Sequence, residues 1–284
     1  MKRSVSLPAT TRSVLAACAV ALAAACAMPP ALAAKAMPRN WWVYVHNDNA
    51  SEIRKLLAAG ADPNVRYKNG QPALMRAVVD GAWQVFDALA ADRRTKLDAV
   101  NPANETALMY LAVAGQTERA RTLIARGAQV NRLGWTPLHY AASKGRVETA
   151  KLLLAHQAMV NAPSPDGTTP LMMAGFSGSR EMVQLLLDAG ADVTTRDLKD
   201  KNAADWADAG KAGSLARELD TLIAQAEQRR DAQRPGQSGA PGAAPAQQAR
   251  PQAPSPAQAE APRPPKAEEP TLSGVSGVRL NKYD

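Results

Sequence analysis

The chain has 284 residues, 46% of them apolar but only 4% aromatic, and carries a formal charge of +8. So few aromatic side chains argue against one large globular core and suit thin layers of Ala and Leu that pack only on their neighbours. The charge does not point to nucleic acid, because residues 1–33 hold +3, residues 225–284 hold +2, and the body from 34 to 224, with 23 basic and 20 acidic side chains, is nearly neutral for its size.

The first 33 residues have the pattern of a Sec-type signal peptide. Lys2, Arg3 and Arg12 form the basic region, residues 14–28 the apolar region, and Ala31-Leu32-Ala33 a small-x-small cleavage site. Both cysteines, Cys18 and Cys26, lie inside this segment, so cleavage leaves a mature chain without a thiol. A transmembrane anchor is the rival reading, opposed by the shortness of the apolar run and by Pro29-Pro30. Lipoprotein processing at Cys26 is another, although Ala23-Ala24-Ala25-Cys26 lacks the usual Leu three residues before the Cys.

From residue 37 onward the pattern is one of short helix pairs. Residues 37–64 read as an atypical first pair, with Trp41, Trp42 and Val45 packing inward as terminal core, a second helix over 51–59, and the turn Gly60-Ala61-Asp62-Pro63-Asn64. The second pair, 66–97, starts at Pro72-Ala73-Leu74; Arg93-Arg94-Thr95 stands where a Gly-Ala turn is expected, which predicts an irregular outer turn. A third pair, 101–130, begins at Thr106-Ala107-Leu108-Met109 and carries Arg119, Arg121 and Arg126, read as a solvated outer face.

The fourth pair is the most regular. Thr136 is placed to cap a helix with its hydroxyl, Pro137 sits at the first helical position, and Leu138, Ala141 and Ala142 give a narrow apolar face that Gly145 ends. Val147, Ala150, Leu153 and Leu154 then recur at i, i+3 and i+4 offsets. Neither helix is long enough to be stable alone. The loop between Asn131 and Gly134 is three residues short, which leaves Trp135 near its tip.

A fifth pair, 162–193, regains full length with the turn Ser164-Pro165-Asp166-Gly167 followed by Thr168-Thr169-Pro170-Leu171. The sixth, 197–223, has Ala203, Ala204 and Trp206 at the corresponding positions and reads as a polar cap whose last helix covers 214–223. The composition changes from residue 225. Residues 235–270 are dense in Pro, Ala, Gln and Gly and cannot bury enough apolar surface to offset ordering, so a disordered tail over 225–284 is expected, with extended polyproline character. Val275, Val278, Leu280 and Tyr283 then restore some apolar content, either as an unstructured end or as a short docking motif.

The stretch Thr136-Pro137-Leu138-His139-Tyr140-Ala141-Ala142 with Gly145 and Leu152-Leu153 resembles the ankyrin repeat. Its leucine recurs at Leu74, Leu108, Leu138 and Leu171, with Ala204 last, in steps of 34, 30, 33 and 33 residues. Gly60-Ala61-Asp62 and Gly190-Ala191-Asp192 repeat the family's turn. The resemblance implies an all-α solenoid of about six helix-turn-helix repeats, two of them caps, with short β-turn fingers. It also implies a concave face that binds another protein. Carried over position by position, the contact residues are Gln71, Arg76, Val79 and Asp80; then Glu105, Tyr110 and Val113; then Trp135, Tyr140, Ser143 and Lys144; and then Thr168, Met173, Phe176 and Ser177.

Nothing in the sequence reads as catalytic, and no cofactor, metal or nucleic-acid motif is expected. His46, His139 and His156 fall at unrelated places. The resemblance implies that His139 bonds neighbouring backbone and joins adjacent fingers, and is no general base. The whole is read as an exported, periplasmic, monomeric protein-binding module of a bacterial envelope, without a transmembrane span in the mature chain. It is a scaffold or an inhibitor or immunity-type protein, or else a structural tether whose Pro-rich tail reaches wall or membrane.

Overall fold

The computed structural model describes residues 37–233. The signal-peptide segment and the tail beyond 233 lie outside the described residues. Twelve α-helices follow one another in pairs: α1 (Trp41–His46) with α2 (Ala50–Ala58), α3 (Ala73–Asp80) with α4 (Trp83–Ala91), and α5 (Ala107–Ala114) with α6 (Thr117–Ala125). Next come α7 (Pro137–Ser143) with α8 (Val147–Ala155), α9 (Pro170–Ser177) with α10 (Arg180–Asp188), and α11 (Ala203–Ala209) with α12 (Gly213–Ala232). Odd-numbered helices pack on one another as an inner layer, and even-numbered ones form the outer layer. Among the described residues the only β pairing is an isolated bridge between Arg66 and Pro72.

The first eleven helices have 6 to 9 residues, too few to persist in water, so their stability comes from packing. The signature leucines do much of it. Leu108, Leu138 and Leu171 are sealed between the layers with Leu89, Leu123, Leu153 and Leu186 of the outer helices. Truncating one to Ala at such a site costs about 2–5 kcal/mol. Small side chains let the inner helices approach closely. At Gly210 a Cβ would run into the carbonyl oxygen of Phe176, and at Gly175 into that of Ala203.

The fingers are tight hairpins built alike. Tyr67, Asn101, Ser164 and Asp197 each donate their N–H to the carbonyl four residues on, at 2.8–3.0 Å. Each tip has one residue with positive φ: Gly70, Asn104, Gly167 and Asp200. The fourth finger, three residues shorter, lacks this bond among those described. Its tip is Leu133, 94% exposed, and Trp135, two residues on and expected near the tip, packs edge-on against His139 of the inner helix.

A polar ladder that the sequence reading missed stitches the outer turns together. The Asn64 amide donates to Arg94 O at 2.9 Å and accepts from Lys96 N at 2.7 Å. Asn131 holds Gln157 O and Met159 N in the same way, and Asn161 holds Gly190 O and Asp192 N. Asp98 takes the intermediate rung and can only accept, from Gln129 N at 2.9 Å. Without a Gly, the turn after α4 is closed by Thr95, whose hydroxyl donates to Leu89 O, and by Arg94, which reaches back to Leu57 O.

Two further expectations change. Arg119 and Arg126 are not simply solvated. Arg119 pairs with Asp87 at 3.0 Å and lies over the Trp83 ring, and Arg126 donates to Asp92 O, so both tie their repeat to the preceding one. The last helix runs on to Ala232 instead of ending at Ile223, with Arg230 donating to Thr194 Oγ1 at 2.9 Å. Helix therefore continues past residue 225, where a disordered tail was expected to begin.

Candidate functional site

The surface offered by fingers and inner helices divides into three parts. At the first two repeats, Trp42 and His46 of α1 meet Tyr67 of the second finger edge-on, with ring centroids 5.0 and 5.5 Å apart. Arg76 of α3 lies over that ring at 4.6 Å and donates to the Asp80 carboxylate at 2.9 Å, which also meets His46 Nδ1 at 2.6 Å. The cluster is half-buried or exposed throughout. Sequence reading had placed both tryptophans in the core. Trp41 is fully buried, but the next residue on a helix points about 100° away, and Trp42 is only partly buried, packing against the core and on Tyr67.

The middle of the face is sealed. Glu105, at the base of the third finger, is buried and accepts hydrogen bonds from Asn101 Nδ2 at 2.7 Å, from the Tyr110 hydroxyl at 2.8 Å and from the Tyr140 hydroxyl. Burial first, and then the Glu105 carboxylate, push both tyrosine pKa values upward. Trp135 packs at the edge of this network, edge-on to His139 at 5.2 Å and to Tyr140 at 6.5 Å.

Beneath it, His139 is fully buried. Its Nδ1 accepts from the Thr136 N–H at 3.2 Å and lies 2.9 Å from the Thr136 hydroxyl, which therefore bonds the ring. Its Nε2 is 3.0 Å from Thr168 O in the next finger. This set fits the neutral tautomer protonated on Nε2, and burial lowers the pKa to about 4. His139 joins two fingers and has no path to a substrate.

At the far end, Phe176 and Trp206 pack edge-on at 6.0 Å, and the Trp206 Nε1–H donates to Asp197 at 3.0 Å. Nearby, the finger tip Leu198 is 79% exposed.

These parts split the expected contact residues. Arg76, Asp80, Trp135, Ser143, Lys144, Phe176 and Ser177 keep solvent exposure, as does Val79. Gln71, Glu105, Tyr110, Tyr140, Thr168 and Met173 are buried, as is Val113, and in the free protein they serve internal packing and hydrogen bonding. Trp42, His46, Tyr67, Leu133, Leu198 and Trp206 were missed. The repeat register alone would have found Trp206, which stands two residues after Ala204 as Arg76 stands after Leu74.

Among the described residues no group of three or more His, Cys, Asp or Glu is arranged to hold a metal ion, and no helix is long and apolar enough to cross a membrane.

A two-layer helical solenoid with a finger-lined face defines a class of modular recognition proteins. The chain belongs to the ankyrin-repeat family: the family model described as ankyrin repeats (3 copies) matches residues 41–133 and 128–197. Ankyrin repeats are generic, non-catalytic protein-interaction modules. The chain is similar to the probable E3 ubiquitin-protein ligase XBOS32 of Oryza sativa subsp. japonica, with 31% identity over 160 residues, 56% of this chain and 32% of that one. It is also similar to the E3 ubiquitin-protein ligase XBAT33 of Arabidopsis thaliana, with 33% identity over 139 residues, 49% and 26% of the two chains. A third relative is the ankyrin repeat and SAM domain-containing protein 6 of Rattus norvegicus, with 34% identity over 151 residues, 53% and 14%. The chain spans about a third or less of the length of these relatives.

Proposed function

We propose that this protein is an exported, non-catalytic, monomeric ankyrin-repeat protein of a bacterial envelope that grips one protein partner on its finger-lined face. The observation that carries the proposal is the partly exposed aromatic and charged cluster of Trp42, His46, Tyr67, Arg76 and Asp80, with Phe176, Trp206 and the tip leucines along the same face. Aromatic and arginine side chains concentrate binding energy at interfaces. Export rests on the signal-peptide pattern of residues 1–33, and the periplasm is the compartment it implies. Within this reading the protein is either a scaffold of an envelope complex or an inhibitor that covers an enzyme's active site.

The test is capture of partners from envelope extracts by the full mature chain, compared with Tyr67→Ala/Arg76→Ala and Phe176→Ala/Trp206→Ala variants. A partner lost in both variants while helical circular dichroism is unchanged supports the reading; one retained by both overturns it. The tether reading draws on the Pro-rich composition beyond α12. Deleting residues 234–284, a cut placed after the end of α12, separates the two: a binder keeps its partner, and a tether loses its location.

A further inference from the structure

The outer layer is not closed everywhere. Between α10 and α12 lies a groove of about 420 Å³, floored by Val183, Leu187, Leu215 and Leu222 and rimmed by Glu181 and Glu218. That volume lies within the rough 300–1,000 Å³ range of clefts that hold ligands. The groove starts where Arg180, at the first turn of α10, pairs with Glu218 and donates to Ser214 Oγ at 3.0 Å. It then runs along both helices. Leu187 and Leu222 remain only half-buried in it.

We propose that this groove is the docking site of the chain's own segment 272–283. Three observations select that occupant. From 234 to 271 the sequence has no large apolar side chain at all, whereas Leu272, Val275, Val278, Leu280 and Tyr283 follow within a dozen residues. Apolar groups confined to one short stretch are what an apolar groove can recognise, and the stretch before it works as a spacer. Charge agrees as well: Arg279 and Lys282 lie among those apolar residues and no acidic residue falls between 271 and 283, while the groove, beyond its Arg180–Glu218 pair, presents Glu181.

The third observation is reach. At 1.5 Å per helical residue, Leu219 is about 20 Å from the end of α12 at Ala232, and a spacer of residues 234–271 can span on the order of 100 Å. Tethering at that distance gives an effective concentration of order millimolar, so a few apolar contacts hold the segment in place. The groove belongs to the outer helices, so the docked segment leaves the finger-lined face open. The inference therefore stands apart from the partner reading above.

The experiment is amide hydrogen exchange on the full chain, read over residues 275–281. It compares the natural sequence with a Val275→Ser/Val278→Ser/Leu280→Ser tail variant and with Leu222→Glu in the groove. Docking predicts exchange slowed about tenfold in the natural sequence and restored in both variants. The tail variant alters nothing in the repeats, so it must also shift the methyl resonances of Leu187 and Leu222 even where Leu222→Glu folds poorly. Equal exchange in all three chains overturns the proposal. So does slowing that survives Leu222→Glu in a folded chain, slowing that grows with protein concentration and so comes from a second copy, or leucine methyl signals indifferent to the tail variant.

Discussion

The first two repeats and the middle two use the same positions of the repeat in opposite ways. Two residues after the signature leucine stands Arg76 in one region and Tyr110 or Tyr140 in the other. Arg76 lies across the half-buried Tyr67 ring and shares a carboxylate with His46; the tyrosines are buried on Glu105. The difference follows from the fingers. Where a buried carboxylate meets two hydroxyls and Trp135 packs on Tyr140, the inner face is held by internal contacts; where the finger offers only a ring, it stays partly exposed. Position within the repeat therefore does not decide whether a residue is exposed or packed away.

The contrast breaks most visibly at Glu105. Replacing it by Ala leaves Asn101 Nδ2 and two buried tyrosine hydroxyls without their acceptor, and urea denaturation is expected to show a loss of about 3–5 kcal/mol. Acid acts on the same region through His139. Its pKa of about 4 in the fold lies below the unfolded value of 6.5, so its contribution is fully present above pH 6.5 and lost as pH falls toward 4. Between those limits stability should drop by on the order of 3 kcal/mol, and a His139→Gln chain should show a flatter profile over that window.

Trp135 tests the boundary between the two uses. Its ring packs on His139 and Tyr140, so Trp135→Ala is expected to lower stability by about 2 kcal/mol as well as weaken any partner seated nearby. The smallest stability effect belongs to the open end. Arg76→Ala removes a largely buried ion pair and a ring contact but leaves Asp80 its contact with His46, and should cost about 1.5 kcal/mol in thermal melts, while partner capture falls. A large melting shift there would make the two regions alike.

Much of the architecture could be read without coordinates. Leucines recurring at near-constant steps, threonine and proline at helix starts, and glycine or asparagine at turns are local signals whose physics needs no distant partner. The contact face was legible only in part. Trp42 and Trp41 are indistinguishable in the sequence, yet a single helical step puts one wholly in the core and leaves the other only partly buried at its edge. Glu105 has the look of an exposed finger residue until Tyr110 and Tyr140, five and thirty-five residues away, are seen to converge on it.

The sequence by itself determined the repeat: its period, its helix pairs and its short fourth finger, while the role of His139 as a link between fingers was implied by the family resemblance. Tertiary structure alone decided which side chains of the inner face are free, how far α12 extends, and that a groove opens between α10 and α12. The reason is range. Caps, turns and helical periodicity depend on neighbours a few residues apart, whereas burial and hydrogen-bond partnership across repeats depend on groups about thirty residues distant in the chain, brought together only when the layers stack.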